Sequence, residues 1–133
     1  MIQFQIPYKE NYFNAYGINQ DLNTTPIYFS HANGFNGFMY KTLLNKISNN
    51  QKIISYDLRG HGKSTIPAEP DKLKSWHRYS DDLINILNKN QKPSILIGHS
   101  LGGTTSLLVA LKRPELVSKA VSYTHLRAHE TSQ

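Results

Sequence analysis

Residues 95–103 read Ile95-Leu96-Ile97-Gly98-His99-Ser100-Leu101-Gly102-Gly103, and a helical pattern from Thr104 to Lys112 follows them. A short apolar run bounded by turn residues suits a strand buried on both faces of a sheet. Glycine, any residue, serine, any residue, glycine then marks a sharp strand-to-helix turn with the serine at its tip. The chemistry explains the layout. A nucleophile must project from such a turn, and the flanking glycines remove side chains that would collide there. A helix starting just after Ser100 aims its free backbone N–H groups and positive dipole end at developing negative charge. Ser100 is therefore the expected nucleophile and the N–H of Leu101 an expected oxyanion donor. A phosphate-binding glycine loop is excluded, because the chain nowhere has the glycine–lysine spacing that such a loop requires.

Two upstream runs, Ile27-Tyr28-Phe29 and Ile53-Ile54-Ser55-Tyr56, have the same buried-strand character. Residues 31–37 form a glycine-bearing loop after the first, and a helical pattern continues through Phe38, Leu43, Leu44 and Ile47. The second run ends in Asp57-Leu58-Arg59-Gly60-His61-Gly62-Lys63-Ser64, after which Pro67 and Pro70 keep the chain irregular. From Leu73 onward, Trp76, Tyr79, Leu83, Ile84 and Leu87 recur at helical spacing. In the helix after Ser100 the expected apolar side carries Leu107, Leu108 and Leu111, and the helix stops near Pro114. Residues 3–18 alternate as two antiparallel strands, and residues 21–26 form a polar turn. Strands alternating with helices at this spacing predict an α/β architecture, a mostly parallel sheet flanked by helices.

The loop after the first buried strand is the natural source of a second oxyanion donor. A backbone N–H near Asn33 would face Leu101, with a shift of one or two residues to Phe35 as the alternative. Gly34 and Gly37 permit the dihedrals such a loop demands. His31 lies at its base and is expected to fix the backbone rather than move a proton.

Together, residues 31–35, 57–64 and 98–103 resemble the α/β-hydrolase superfamily, in the order and spacing of bacterial esterase-like members. The resemblance spans roughly residues 3–120. It implies that Ser100 is the nucleophile, and that Leu101 and the Asn33 region form the oxyanion hole. It also implies that Asp57 holds its loop and that His61 and His99 are structural. A serine at the turn speaks against haloalkane dehalogenase or epoxide hydrolase chemistry, since those relatives use aspartate.

The family's triad order places the acid and the histidine well after the serine. Beyond Ser100 the chain offers only Glu115, Glu130, His125 and His129. Glu115 is expected on the wrong side of the sheet. A buried strand should begin at Lys119-Ala120. Instead, residues 121–131 resemble the translation of a transposase-type sequencing adapter, so residues 1–120 are expected to be the N-terminal part of a hydrolase domain. Residues 121–133 are expected to be a non-native tail. His125 and His129 are accordingly read neither as metal ligands nor as triad members. The fold is thus expected to be truncated after the nucleophile helix, and this chain alone to lack the triad acid and histidine and to be inactive.

Composition fits this picture. The 133 residues include no cysteine, which excludes a disulfide framework, a thiolate metal site and a cysteine nucleophile. No run approaches the roughly 20 apolar residues of a membrane span. The net charge of +6 comes largely from scattered lysines, which form no dense basic run. A small-molecule acyl substrate is expected, with no cofactor, metal or nucleic-acid partner, in the cytoplasm. Carboxylic ester hydrolysis through an acyl-enzyme is the expected activity. Thioester, amide or carbon–carbon bond hydrolysis, or a non-catalytic fragment with an exposed sheet edge, are the alternatives.

Overall fold

The computed structural model describes residues 1–69, 76–90 and 92–123. Six strands form one sheet: β1 (Ile2–Tyr8), β2 (Asn11–Ile18), β3 (Ile27–Ser30), β4 (Ile53–Tyr56), β5 (Ser94–His99) and β6 (Val117–Tyr123). Their spatial order is β1-β2-β4-β3-β5-β6. β1 and β2 pair antiparallel, and β2 also runs antiparallel to β4. The remaining pairings, β4 with β3, β3 with β5 and β5 with β6, are parallel. The fold is α/β, as the alternation of elements predicts.

The helices α1 (Lys41–Ile47), α2 (His77–Leu87) and α3 (Leu101–Lys112) cover the two faces. Because strand side chains alternate, one three-strand set serves two cores. Tyr28, Ile54 and Leu96 join Leu83 and Leu87 of α2 and Val109 of α3. Ile27, Phe29 and Ile53 face the opposite way, toward Tyr40, just before α1, and Leu44 of α1. Both faces of the central strands are therefore buried, which is why those strands read as continuous apolar runs.

Three expectations need correction. α3 buries Gly102, Gly103, Thr105, Ser106 and Val109, while Leu107 and Leu111 point outward, Leu111 being 79% exposed. The helix approaches the sheet too closely for large residues, so small ones occupy that side. In α2 the buried stripe is Tyr79, Leu83, Ile86 and Leu87, and Trp76 at its start is exposed. The strand after α3 starts at Val117, before the expected Lys119, and its side chains are at most half-buried. Val121–Tyr123 form its last three residues, whereas Leu73, His125, His129 and Glu130 lie outside the described residues.

Candidate active site

The carboxyl ends of β3, β4 and β5 deliver three loops to one edge of the sheet. Ser100 sits between β5 and α3 with φ 56° and ψ −114°, a left-handed conformation rare for a side-chain-bearing residue. Its side chain is exposed. The turn is pinned from both sides, because the Ser100 N–H donates to the Tyr123 carbonyl at 2.8 Å and the Thr104 N–H donates to the Ser100 carbonyl at 3.0 Å. Such strain persists only where the surroundings over-determine it.

The glycines explain how the turn packs. A Cβ on Gly98 would lie 2.1 Å from the Gly102 carbonyl oxygen, and one on Gly102 would lie 1.8 Å from the Ser30 carbonyl oxygen. Gly102 therefore lets the start of α3 rest on the end of β3, where the loop of residues 31–37 begins. Leu101 opens α3, so its N–H has no acceptor four residues back along the helix.

Most backbone N–H groups of residues 31–37 already have acceptors within the protein. Ala32 N–H donates to the Tyr40 hydroxyl, Gly34 N–H to Nε2 of His61, and Gly37 N–H to Oδ1 of Asp57, at 3.0, 3.0 and 2.7 Å. Phe35 N–H donates to the Ala32 carbonyl at 3.0 Å and is thereby occupied. Asn33 is exposed, and its N–H is not among these bonds.

His31 is fully buried. Nε2 accepts from the Leu58 N–H at 2.9 Å, so Nδ1 carries the proton and donates to the Ala32 carbonyl at 2.7 Å. Burial pushes its pKa down to about 4, which keeps the ring neutral. It is a backbone bracket between two loops. His61 does the same job further along: Nδ1 donates to the Arg59 carbonyl at 2.9 Å, leaving Nε2 to accept from Gly34.

Asp57 is also fully buried, and its carboxylate takes N–H donors from Gly37, Lys63 and the Asn14 amide at 2.7, 2.9 and 3.0 Å. With both oxygens committed, it holds loops together. Glu115 is exposed and paired with Arg113 at 2.7 Å. Among the described residues no histidine or carboxylate hydrogen-bonds the Ser100 hydroxyl.

Sequence reasoning missed Tyr40, whose hydroxyl meets both Ala32 N–H and Nδ1 of His99. Its signal was present: Gly37, Tyr40 and Leu44 fall at helical spacing on the buried side.

Over residues 25–132 the sequence matches a family described as alpha/beta hydrolase fold. It is 39% identical over 72 residues to sn-1-specific diacylglycerol lipase ABHD11 of Mus musculus, a stretch covering 53% of this chain and 22% of that protein. With 2-(acetamidomethylene)succinate hydrolase of Mesorhizobium japonicum it shares 32% identity over 95 residues, 71% of this chain and 33% of the other. The crystal structure of E-2-(acetamidomethylene)succinate hydrolase matches with a TM-score of 0.72 at 27% identity, covering 87% of this chain and 41% of that one. The chain thus spans less than half the length of each of these relatives.

Proposed function

Since the chain belongs to the alpha/beta hydrolase family, we propose that Ser100 is the nucleophile of a serine hydrolase acting on a carboxylic ester or related acyl substrate. The observation that carries this is the exposed Ser100 at φ 56°, at the start of a helix whose first N–H groups have no intrahelical acceptor. Oγ attacks the acyl carbon and its proton passes to a histidine base. The carbonyl oxygen becomes an oxyanion facing the N–H groups of Leu101 and Asn33. Collapse expels the alcohol, which takes that proton, and water then hydrolyses the acyl-enzyme. Phe35, partly exposed with its ring 6.0 Å from that of His99, offers an apolar surface beside the nucleophile that suits an acyl chain.

The base histidine and its orienting acid are proposed to lie beyond the described residues, in a longer enzyme whose coding sequence departs from this one after Ala120. The small share of each relative that the chain covers supports a longer enzyme. A cytoplasmic setting suits a chain without cysteine. Among the described residues no helix is long and apolar enough to cross a membrane.

The complete enzyme, expressed from the source locus, tests the proposal by fluorophosphonate labelling and p-nitrophenyl ester turnover. Both are expected, and both should vanish in Ser100→Ala. Labelling or turnover that survives that substitution, or neither in the wild type, overturns it.

A further inference from the structure

Tyr40 stands between the two walls of the site, in a role that neither wall's motif requires. Its hydroxyl accepts the Ala32 N–H at 3.0 Å and lies 2.8 Å from Nδ1 of His99. Ala32 precedes Asn33, and His99 precedes Ser100. All three side chains in this chain of contacts are buried. A phenol oxygen that accepts from Ala32 keeps its own proton to donate, and the His99 nitrogen is there to receive it. The phenol has little freedom to swing, because its ring packs on Phe29, His99 and Phe35 at centroid distances of 4.4, 5.8 and 5.9 Å.

We propose that Tyr40 is a positioning residue that sets the separation of the two oxyanion donors by clamping Ala32 to His99; this rests on the role of Ser100 proposed above. One donor, Asn33 N–H, lies one residue past the Ala32 end of the clamp. The other, Leu101 N–H, lies two residues past the His99 end. An oxyanion hole works only when both donors stand within about 2.7–3.1 Å of the oxygen that becomes charged. A misplacement of about 1 Å is worth roughly 100-fold in rate. Removing the hydroxyl leaves a buried N–H without an acceptor, so the loop relaxes to find one and carries Asn33 with it.

Tyr40→Phe keeps the packing ring and deletes the clamp. In the complete enzyme it should lower kcat for p-nitrophenyl esters by about 10- to 100-fold with KM within about twofold. Affinity for a boronic acid that forms a tetrahedral adduct should fall in parallel with kcat. Amide exchange at Ala32 should quicken while Leu44 and Val109 stay protected. A residue that only filled the core would move stability and leave the kcat-to-KM split alone. His99→Leu cuts the other end of the clamp with the Tyr40 ring in place, and should give the same split even if Tyr40→Phe does not fold. Wild-type kcat in either variant that folds overturns the clamp. Turnover that persists in Ser100→Ala overturns the hydrolase proposal instead, so the two failures are distinguishable.

Discussion

Gly102 and Gly34 illustrate two different reasons for a glycine near Ser100. At Gly102 an added methyl group would meet the Ser30 carbonyl at 1.8 Å, a backbone atom that cannot rotate away. Gly102→Ala is expected to cost at least about 3 kcal/mol, the upper end for overpacking, in urea unfolding. At Gly34 φ is 82° and nothing lies within 4 Å, so only the left-handed conformation resists a side chain. Gly34→Ala should cost about 1–2 kcal/mol. A larger loss at Gly34 than at Gly102 would contradict this assignment. His31 supplies a pH dependence whose sign follows from its burial. Its folded pKa, about 4, lies below the ordinary 6.5, with burial as the main cause, the nearby His61 adding to it and Asp57 opposing. Above pH 6.5 the ring is neutral folded or unfolded and contributes no slope. Between 6.5 and about 4 the unfolded chain binds the extra proton, so stability falls as pH falls, by about 3 kcal/mol in all. Urea midpoints across that window should show the slope in the wild type and a flatter one in His31→Gln.

At the scale of elements, the loop of residues 57–64 is fastened to α2 by a buried ion pair. Nε and Nη2 of Arg59 each donate to a different oxygen of Asp82 at 2.7 Å, with both side chains 3% exposed. The same loop brackets the loop of residues 31–37 through Leu58, His61 and Asp57. Arg59→Met leaves the Asp82 carboxylate buried without its partner and should cost about 3–5 kcal/mol, whereas Arg59→Met with Asp82→Leu should recover most of that loss. Thermal unfolding of the two variants checks this, and a double variant no better than the single one would refute it. The contrast between strands and helices shows what was legible in the sequence. β3, β4 and β5 announced themselves because burial on both faces leaves an unbroken apolar run, and Ser100 followed because its glycines flank it directly. The buried side of α3 was not legible from leucine spacing, since close approach to the sheet selects Gly102, Gly103 and Ser106 instead. Likewise Arg59 and Asp82 lie 23 positions apart, and no local pattern announces a pair made by tertiary packing.

For the molecule as a whole, the sheet order leaves β1 and β6 at its edges among the described residues. An unpaired edge offers a row of N–H and C=O groups to another chain. β1 is blunted by Pro7, which has no N–H to offer. β6, Val-Ser-Lys-Ala-Val-Ser-Tyr, carries one charge, Lys119, and exposes Val121 at 39%. Its packing on the rest of the molecule matters at the site, because the Tyr123 carbonyl accepts the Ser100 N–H and the Tyr123 ring stacks on His99 at 5.6 Å. The first of these contacts is made by backbone, so any residue at 123 can supply it, provided β6 stays paired with β5. The net charge of +6 opposes self-association in general, but its lysines are scattered and only one lies on this edge. The 133-residue chain is therefore expected to associate through β6 as concentration rises. Light scattering across a dilution series should show this. Val121→Lys adds a second charge at an exposed edge position, and should suppress association while changing stability by less than about 0.5 kcal/mol. A wild-type chain that stays monomeric throughout, or a variant that associates equally well, would show that Lys119 alone already protects the edge.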